Sequence, residues 1–370
     1  MTFFLFGLLA IIISCTSTFP KNKFNWEEYL SIEQTRCISG IFVILVLFSH
    51  YKNDYFLPGK YDEIYMAFQN HLGQNIVTMF LFYSGFGMMS QVDKKGLAYV
   101  WKIPKKFITL LCKFALAVLL FLILQRFYGQ SYSGKRILLS FIGWSSIGNS
   151  NWYIFVILCV YLCFFLSFFL SHFLLRKNWE NIGVLFLSLL CILLLVFLRE
   201  NGKEPWWYNT IIAFLAGALY SRVKGVPRVL KGDTEYYILL SILISAYVVA
   251  LLKKGEHFFW YEVWVVLFAV LIVMASAKIS ISSPFLDFLG SHVFSVYILQ
   301  RIPMIILKRA GFLAAHPYIG LTLVLCTTII MAVLFDWLTK KCIGRFINRV
   351  RIYTDYVMKH RAKFVPRSKK

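Results

Sequence analysis

Apolar stretches long enough to cross a membrane recur along this chain from one end to the other. They can be drawn at residues 2–19, 37–51, 72–91, 107–124, 152–175, 182–198, 208–220, 236–252, 260–277, 288–307 and 319–339. A hydrocarbon core of about 30 Å takes about 20 apolar residues per helix, and most loops between these segments are too short to fold alone. Because 59% of its residues are hydrophobic, the chain is predicted to be an all-α polytopic membrane protein without a soluble domain.

The basic residues are distributed unevenly between the two sides of the predicted bundle. The net charge of +22 would suggest a nucleic-acid partner in a soluble protein, but most Lys and Arg fall in loops on one side. The segments 92–106 and 340–370 contribute most of them. Cytoplasmic loops are enriched in Lys and Arg, so we expect a membrane protein with a basic cytoplasmic tail over 341–370 and no nucleic-acid partner.

The first apolar segment, residues 2–19, has two interpretations. Its length fits a signal peptide, but no basic region precedes it. Lys21 and Lys23 follow it instead, which favours an extra transmembrane helix with its N-terminus outside. We therefore divide the chain into residues 1–33, an apolar segment with an amphipathic approach to the second helix, a membrane domain over 34–340, and the tail.

His50 ends the apolar run GIFVILVLFSHYKN at residues 40–53. An ionisable side chain within a membrane segment is a functional candidate because its burial is costly. Imidazole titrates near neutral pH and can take a proton from an attacking hydroxyl. The alternative is an interfacial histidine that bonds to a neighbouring helix. Arg36 precedes it by 14 residues, close to four helical turns, so both lie on one face about 21 Å apart. His71, at the start of the next segment, is interpreted as an interfacial cap.

Two other groups of polar residues are binding candidates. Tyr297, Gln300 and Arg301 share one late segment and could line a cavity suited to a sugar, or they could form helix–helix hydrogen bonds, with Arg301 extending to the surface. Lysines in the loop WKIPKKF can bind phosphates or can simply mark the cytoplasmic side. They are Lys102, Lys105 and Lys106.

Three smaller features complete the interpretation. The outer loop 125–151 is rich in Ser, Gly and Asn and is expected to re-enter the membrane or to lie on its surface. Lys113 is expected to reach back to the inner surface. No cysteine falls in an outer loop, and Cys159 and Cys163 are interpreted as core residues, so neither a disulfide framework nor a metal site is predicted.

Six stretches, taken in order, resemble the acyltransferase 3 family of polytopic membrane acyltransferases. They are QTRCISGIFVILVLFSHY (34–51), MFLFYSGFGMM (79–89), WKIPKKF (101–107), NWYIFVILCVY (151–161), WWYNTIIAFLAGALYSRVK (206–224) and FLGSHVFSVYILQRIPMII (288–306). Each stretch alone is a weak hydrophobic pattern. Their order across residues 34–340 carries the resemblance.

The resemblance implies a ten-helix domain, here with one extra N-terminal helix. Such a domain takes an acyl group, usually acetyl, from cytoplasmic acyl-CoA and transfers it to a hydroxyl of a sugar or surface glycan. It implies that His50 and Arg36 are catalytic and that Lys102, Lys105 and Lys106 bind the donor. The residues assigned to substrate binding are Ser84, Trp152, Tyr297, Gln300 and Arg301.

The chain departs from the family pattern at three places. The arginine usually precedes the histidine by 11 residues, where this chain has Ser39. Lysine stands where the family often has arginine, which removes bidentate phosphate recognition. Gln300 stands where many members have histidine, so it can bind but cannot act as a base.

An O-acetyltransferase of an exopolysaccharide, capsule or other envelope glycan is the function that these features predict. A transporter or flippase of lipid-linked glycans is the alternative, although such proteins usually contain inverted repeats and paired helices broken by Gly or Pro, neither of which we find in the sequence. A glycan polymerase would favour a large outer loop with several charged residues, whereas loop 125–151 has no acidic residue.

Overall fold

A computed structural model describes residues 1–56, 58–175, 177–223 and 232–364. The helices are α1 (Thr2–Ser14), α2 (Ile32–Tyr55), α3 (Glu63–Leu72), α4 (Asn75–Lys95), α5 (Leu97–Val100), α6 (Ile103–Phe127), α7 (Gly134–Ser140), α8 (Trp152–Leu174), α9 (Trp179–Glu200), α10 (Ile211–Val223), α11 (Asp233–Lys253), α12 (Phe258–Lys278), α13 (Pro284–Ser291), α14 (Val293–Leu299), α15 (Arg301–Arg309), α16 (Phe312–Ala315) and α17 (Pro317–Phe364). Two short 3-10 helices cover Lys60–Asp62 and Pro205–Trp207.

Each apolar segment predicted from the sequence contains a helix or a group of consecutive helices, and segment 2–19 also includes a short strand. Among the described residues, seven helices are long and apolar enough to cross a membrane, or eight if the bent pair Pro284–Ser291 and Val293–Arg309 is one span. The prediction of an all-α polytopic membrane protein is confirmed. The count of ten helices plus one stays a prediction, since α1, α4 and α10 do not meet that standard.

A two-stranded antiparallel sheet joins the start of the chain to the end of α12. Strands β1 (Thr16–Thr18) and β2 (Ile279–Ile281) pair with Ser17 opposite Ser280. The 13 residues of α1 span only about 20 Å as a helix. The predicted apolar segment 2–19 is therefore a short helix followed by a strand of three polar residues.

Helix α2 begins at an N-cap. The Ser31 hydroxyl accepts a hydrogen bond from the Gln34 amide at 3.1 Å, and Glu33 lies in the first turn. Both features favour a helix start, since they satisfy a free amide and complement the helix dipole. The end of the bundle that holds this N-cap is called the inner end, after the predicted orientation. His50 therefore lies toward the outer end.

Helices α4 and α10 cross through a reciprocal pair of glycines. A Cβ atom at Gly85 would lie 1.9 Å from the Phe214 carbonyl oxygen, and one at Gly217 would lie 2.0 Å from that of Phe82. Small residues allow the backbones of membrane helices to approach closely. In lipid, helices associate through such close packing, because burial of apolar surface provides no driving force there. Neither glycine can therefore be replaced without separating the two helices.

Helices α2 and α13 cross in the same way. A Cβ atom at Gly40 would lie 2.2 Å from the Leu286 carbonyl oxygen, and one at Gly290 would lie 2.0 Å from that of Arg36. Helix α13 continues after a 67° bend into α14 and α15. This crossing therefore fixes the helix that carries His50 relative to the segment that carries Tyr297.

Replacing Gly85 with alanine is expected to destabilise the protein. The added methyl group collides with backbone, and overpacking of this kind costs about 1–3 kcal/mol. Gly87→Ala on the same helix is the matched control, because nothing lies within 4 Å of a Cβ atom there. Thermal unfolding of the purified variants in detergent measures the effect. Equal melting temperatures for Gly85→Ala and Gly87→Ala would contradict the close approach.

Two predicted segments extend past the described residues. Helix α17 continues to Phe364, through most of the predicted tail at 341–370, and residues 365–370 lie outside the described part. Lys224, the last residue of WWYNTIIAFLAGALYSRVK, also lies outside it. The predicted domain boundaries stay predictions.

Candidate functional site

A cavity of about 880 Å³ opens toward the outer end of the bundle. His50, Tyr297 and Arg301 all face it, although they come from two segments of the chain. Most of the remaining wall consists of amide and aromatic side chains. These include Gln69, Gln74, Asn149, Asn151, Asn209, Trp152, Trp206 and Tyr261. Ligand sites typically combine apolar or aromatic walls with a few fixed polar groups, and this outer cavity has that composition.

His50 contacts the late segment directly. Its ring centre lies 6.0 Å from that of Tyr297, with the planes inclined by 56°. Within the described residues, His50 Nδ1 is a buried atom without a hydrogen bond. The hydroxyls of Tyr297 and Ser150 lie close to each other. Buried polar atoms are normally paired, so His50 Nδ1 is suited to form a hydrogen bond with a ligand.

The outer loop 125–151 forms part of the cavity wall. Its last turn is held by the Asn151 side chain, which donates to the Gly143 carbonyl oxygen at 2.7 Å, and by Ser146, which donates to that of Asn149 at 2.7 Å. Gly143 has φ +81° and Gly148 has φ +105°, conformations that favour glycine. The loop is thus folded so that buried Asn149 and Asn151 face the cavity.

Lys203 fastens this loop to the neighbouring wall. Its ammonium lies 3.7 Å from the ring centre of Trp144 and 4.2 Å from that of Trp207, and it donates to the Trp144 carbonyl oxygen at 3.0 Å. Burial lowers the pKa of this lysine, and nearby Glu204 opposes that shift. A cation between two indoles is a favourable arrangement. It connects loop 125–151 to Pro205 and Trp206, which face the cavity.

A second cavity of about 360 Å³ lies deeper in the bundle. Tyr297 lines both this middle cavity and the outer one. The other walls are mainly aromatic and aliphatic, and the polar groups include Ser39 and Ser84. Ser39 is the residue 11 positions before His50. The position at which the family usually has arginine therefore lies on the wall of the middle cavity.

A third cavity of about 650 Å³ lies at the inner end. Lys102, Lys105, Lys106 and Lys113 line it. It shares walls with the middle cavity at Leu110, Tyr161 and Phe294. The three cavities therefore lie in series, from a lysine-rich inner cavity through an aromatic middle cavity to the polar outer cavity beside His50.

Comparison with known protein families agrees with this arrangement. A family model described as an acyltransferase domain matches residues 29–339. The chain belongs to the acyltransferase 3 family. This protein is therefore a membrane acyltransferase, and it matches no curated protein and no solved structure.

Most residues predicted for the acyltransferase site face one of the three cavities. His50, Trp152, Tyr297 and Arg301 line the outer cavity, and Ser84 and Tyr297 line the middle one. The lysines of the loop 101–107 line the inner one. Lys106 also donates to the Tyr99 hydroxyl at 2.9 Å. Their roles in binding and catalysis stay predictions.

Arg36 and Gln300 lie outside the lining residues of these cavities. Arg36 is half-exposed and forms an ion pair of 3.9 Å with Asp287. Gln300 is buried between α14 and α15 and donates to the Tyr297 carbonyl oxygen at 2.9 Å. In this arrangement Gln300 supports the backbone that carries Tyr297. Their assignment to catalysis and substrate binding is not tested by this geometry.

A polar cluster at the inner end was not predicted. Lys113 does not extend to the inner surface as expected, because its ammonium bonds to Asp336 at 2.7 Å. His292 Nδ1 lies 2.6 Å from the same carboxylate, and the Ser295 hydroxyl donates to it at 2.7 Å. The sequence did hold a signal: Asp336 is a single carboxylate inside the apolar segment 319–339, where charges are rare and functional.

No group of three or more His, Cys, Asp or Glu that could hold a metal occurs in the described ranges. Cys159 and Cys163 are free thiols on α8.

Proposed function

We propose that this acyltransferase moves an acetyl group from cytoplasmic acetyl-CoA to a hydroxyl of an exopolysaccharide, capsule or other envelope glycan. The observation that carries the proposal is the series of three cavities, with lysines at the inner cavity and His50 at the outer one. A donor with phosphates and an acceptor with hydroxyls then approach the same histidine from opposite ends. The protein would lie in the bacterial plasma membrane with its tail in the cytoplasm.

The inner and middle cavities suit the two parts of the donor. The ammonium groups of Lys102 and Lys105 supply point charges for phosphates. The uncharged pantetheine arm would extend through the middle cavity, whose walls are aromatic. From Ser39 to His50 along α2 the distance is about 16 Å. A long, flexible arm is needed to place a thioester at that depth while its phosphates stay at the inner end.

The outer cavity suits a sugar. Amide groups such as those of Gln74, Asn149 and Asn209 offer both donors and acceptors, which matches the hydroxyls of a glycan. The rings of Trp152 and Trp206 supply flat apolar surfaces. A cavity of about 880 Å³ is large enough for a ligand of drug size or more.

His50 would act as the general base. Its imidazole takes the proton of the acceptor hydroxyl while the hydroxyl oxygen attacks the thioester carbonyl carbon. The C–S bond then breaks, and the leaving thiolate receives the proton from the imidazolium. Each turnover consumes one hydroxyl and one thioester and yields one ester and one thiol. Tyr297 and Arg301, which line the same wall, are placed to bind the carbonyl oxygen as it becomes negative.

Transfer of radiolabel from acetyl-CoA to supplied native glycan tests the proposal. Membranes that contain the protein are expected to label the glycan, and membranes without it are not. The variant with Lys102 and Lys105 both replaced by methionine should need a higher donor concentration, because two phosphate-binding charges are removed. Absence of label with the intact protein and native glycan would instead favour a glycan transporter.

A further inference from the structure

The Asp336 cluster lies where the inner cavity meets the middle one. Lys113 lines the inner cavity, and its ammonium lies 6.0 Å from the ring centre of Phe294, which lines both cavities. His292 stands between Ser291 and Val293, both of which line the middle cavity. The cluster therefore lies beside the passage from the inner cavity to the middle one.

Within the cluster, the negative charge of the Asp336 carboxylate opposes the positive charge of the Lys113 ammonium. Asp336 accepts from Lys113 and Ser295 through Oδ1, and Oδ2 faces His292 Nδ1. Lys113 and Asp336 expose 26% and 18% of their side chains, so the pair is partly shielded from solvent, and its charges act on neighbouring ligands more strongly than exposed ones do.

Lys113 also lies deeper than the other lysines of the inner cavity. It follows Lys105 by eight residues on α6, which is about 12 Å along the helix. Without Asp336, an unpaired cation would stand at this depth and would attract phosphates past the mouth of the cavity. With Asp336, the fixed positive charge available to a phosphate remains at Lys102, Lys105 and Lys106.

We infer that Asp336 is a positioning residue that neutralises Lys113 and so sets how far the phosphates of the donor enter the protein. The phosphates stop at Lys102, Lys105 and Lys106, and only the uncharged arm passes Phe294 toward His50. This inference rests on the proposed function, because it takes coenzyme A as the ligand of the inner cavity. It assigns the cluster a role in donor alignment rather than in the reaction itself.

Binding of coenzyme A to the purified full-length protein in nanodiscs tests this role independently of catalysis. Asp336→Asn leaves an unpaired cation and is expected to tighten coenzyme A binding by about tenfold. Lys113→Met leaves an unpaired anion and is expected to weaken it by a similar factor. The double variant Lys113→Met/Asp336→Asn restores neutrality, so its affinity should lie within about twofold of the wild type.

Opposite shifts in coenzyme A affinity would show that the Asp336 cluster positions the donor. A purely structural role predicts something else, because loss of packing would weaken coenzyme A binding in both single variants. Asp93→Asn is the matched control: Asp93 pairs with Arg222 at 3.2 Å and is 22% exposed, but it does not line the three cavities. It should leave coenzyme A affinity unchanged.

The remaining outcomes overturn the inference in separable ways. Asp336 is refuted as the positioning residue if coenzyme A affinity shifts in the same direction in both single variants or does not change. It is also refuted if Asp93→Asn tightens coenzyme A binding equally. In each case the proposed transferase still stands. Absence of coenzyme A binding by the wild-type protein would refute the donor of the proposed function, and this inference with it.

Discussion

Replacing His50 with alanine is expected to lower the rate of acetyl transfer by about 10²- to 10⁴-fold, the range typical of a general acid–base group. The ring faces the outer cavity beside Tyr297, so its loss removes the group that takes the hydroxyl proton. Initial rates of label transfer from acetyl-CoA to glycan, at matched protein abundance in membranes, measure the effect. Coenzyme A affinity should change little, because the lysines of the inner cavity remain.

His71→Ala is the matched control for this variant. His71 is an exposed histidine near the outer end and does not line the outer cavity. Its replacement should leave the transfer rate within about twofold of the wild type, since exposed substitutions rarely matter. Full activity in His50→Ala would keep the enzyme but reject His50 as its base.

Obstructing the middle cavity is expected to stop transfer without removing donor binding. Ser84 lines this cavity near Tyr161, and Ser84→Phe would place a ring in the path of the pantetheine arm. A thioester held even about 1 Å from its reacting position can lose about 100-fold in rate. Transfer should therefore fall by about that factor or more, while the phosphates still bind at Lys102 and Lys105.

Ser245→Phe supplies the corresponding control. Ser245 is an exposed residue of α11, where an added ring would contact lipid. This variant should keep its transfer rate. We would measure the transfer rate and the coenzyme A affinity of both variants on the same preparations. The comparison tests whether the acyl group passes through the middle cavity. Unchanged transfer by a folded Ser84→Phe protein would show that the acyl group takes another route.

The sequence predicted the parts of the site that a chemical rule constrains. A histidine at the end of an apolar run must be paired or functional, and His50 does face a cavity. Lysines in a cytoplasmic loop mark an inner surface, and Lys102, Lys105 and Lys106 do line a cavity there. The pattern of apolar segments predicted helices throughout, since helices satisfy their own backbone groups within a membrane.

Features that depend on pairing between distant segments could not be read from the sequence. Lys113 and Asp336 are 223 positions apart, so neither residue indicates the other. Gln300 is polar and next to Arg301, yet one turns into the protein and the other faces the cavity. Consecutive side chains of a helix point about 100° apart, so periodicity separates the two residues but does not show which of them faces a cavity.

Tyr297 separates the outer cavity from the middle one, and this has an electrical consequence. A membrane protein with aqueous cavities at both ends must still prevent ion leakage, and here an aromatic wall stands between them. Most of the membrane voltage then falls across this thin wall instead of across about 30 Å of hydrocarbon. Moving one charge through 100 mV involves about 2.3 kcal/mol, so a charge carried across this wall would respond to the membrane voltage, whereas a charge on its outer side, where His50 lies, would experience little of it.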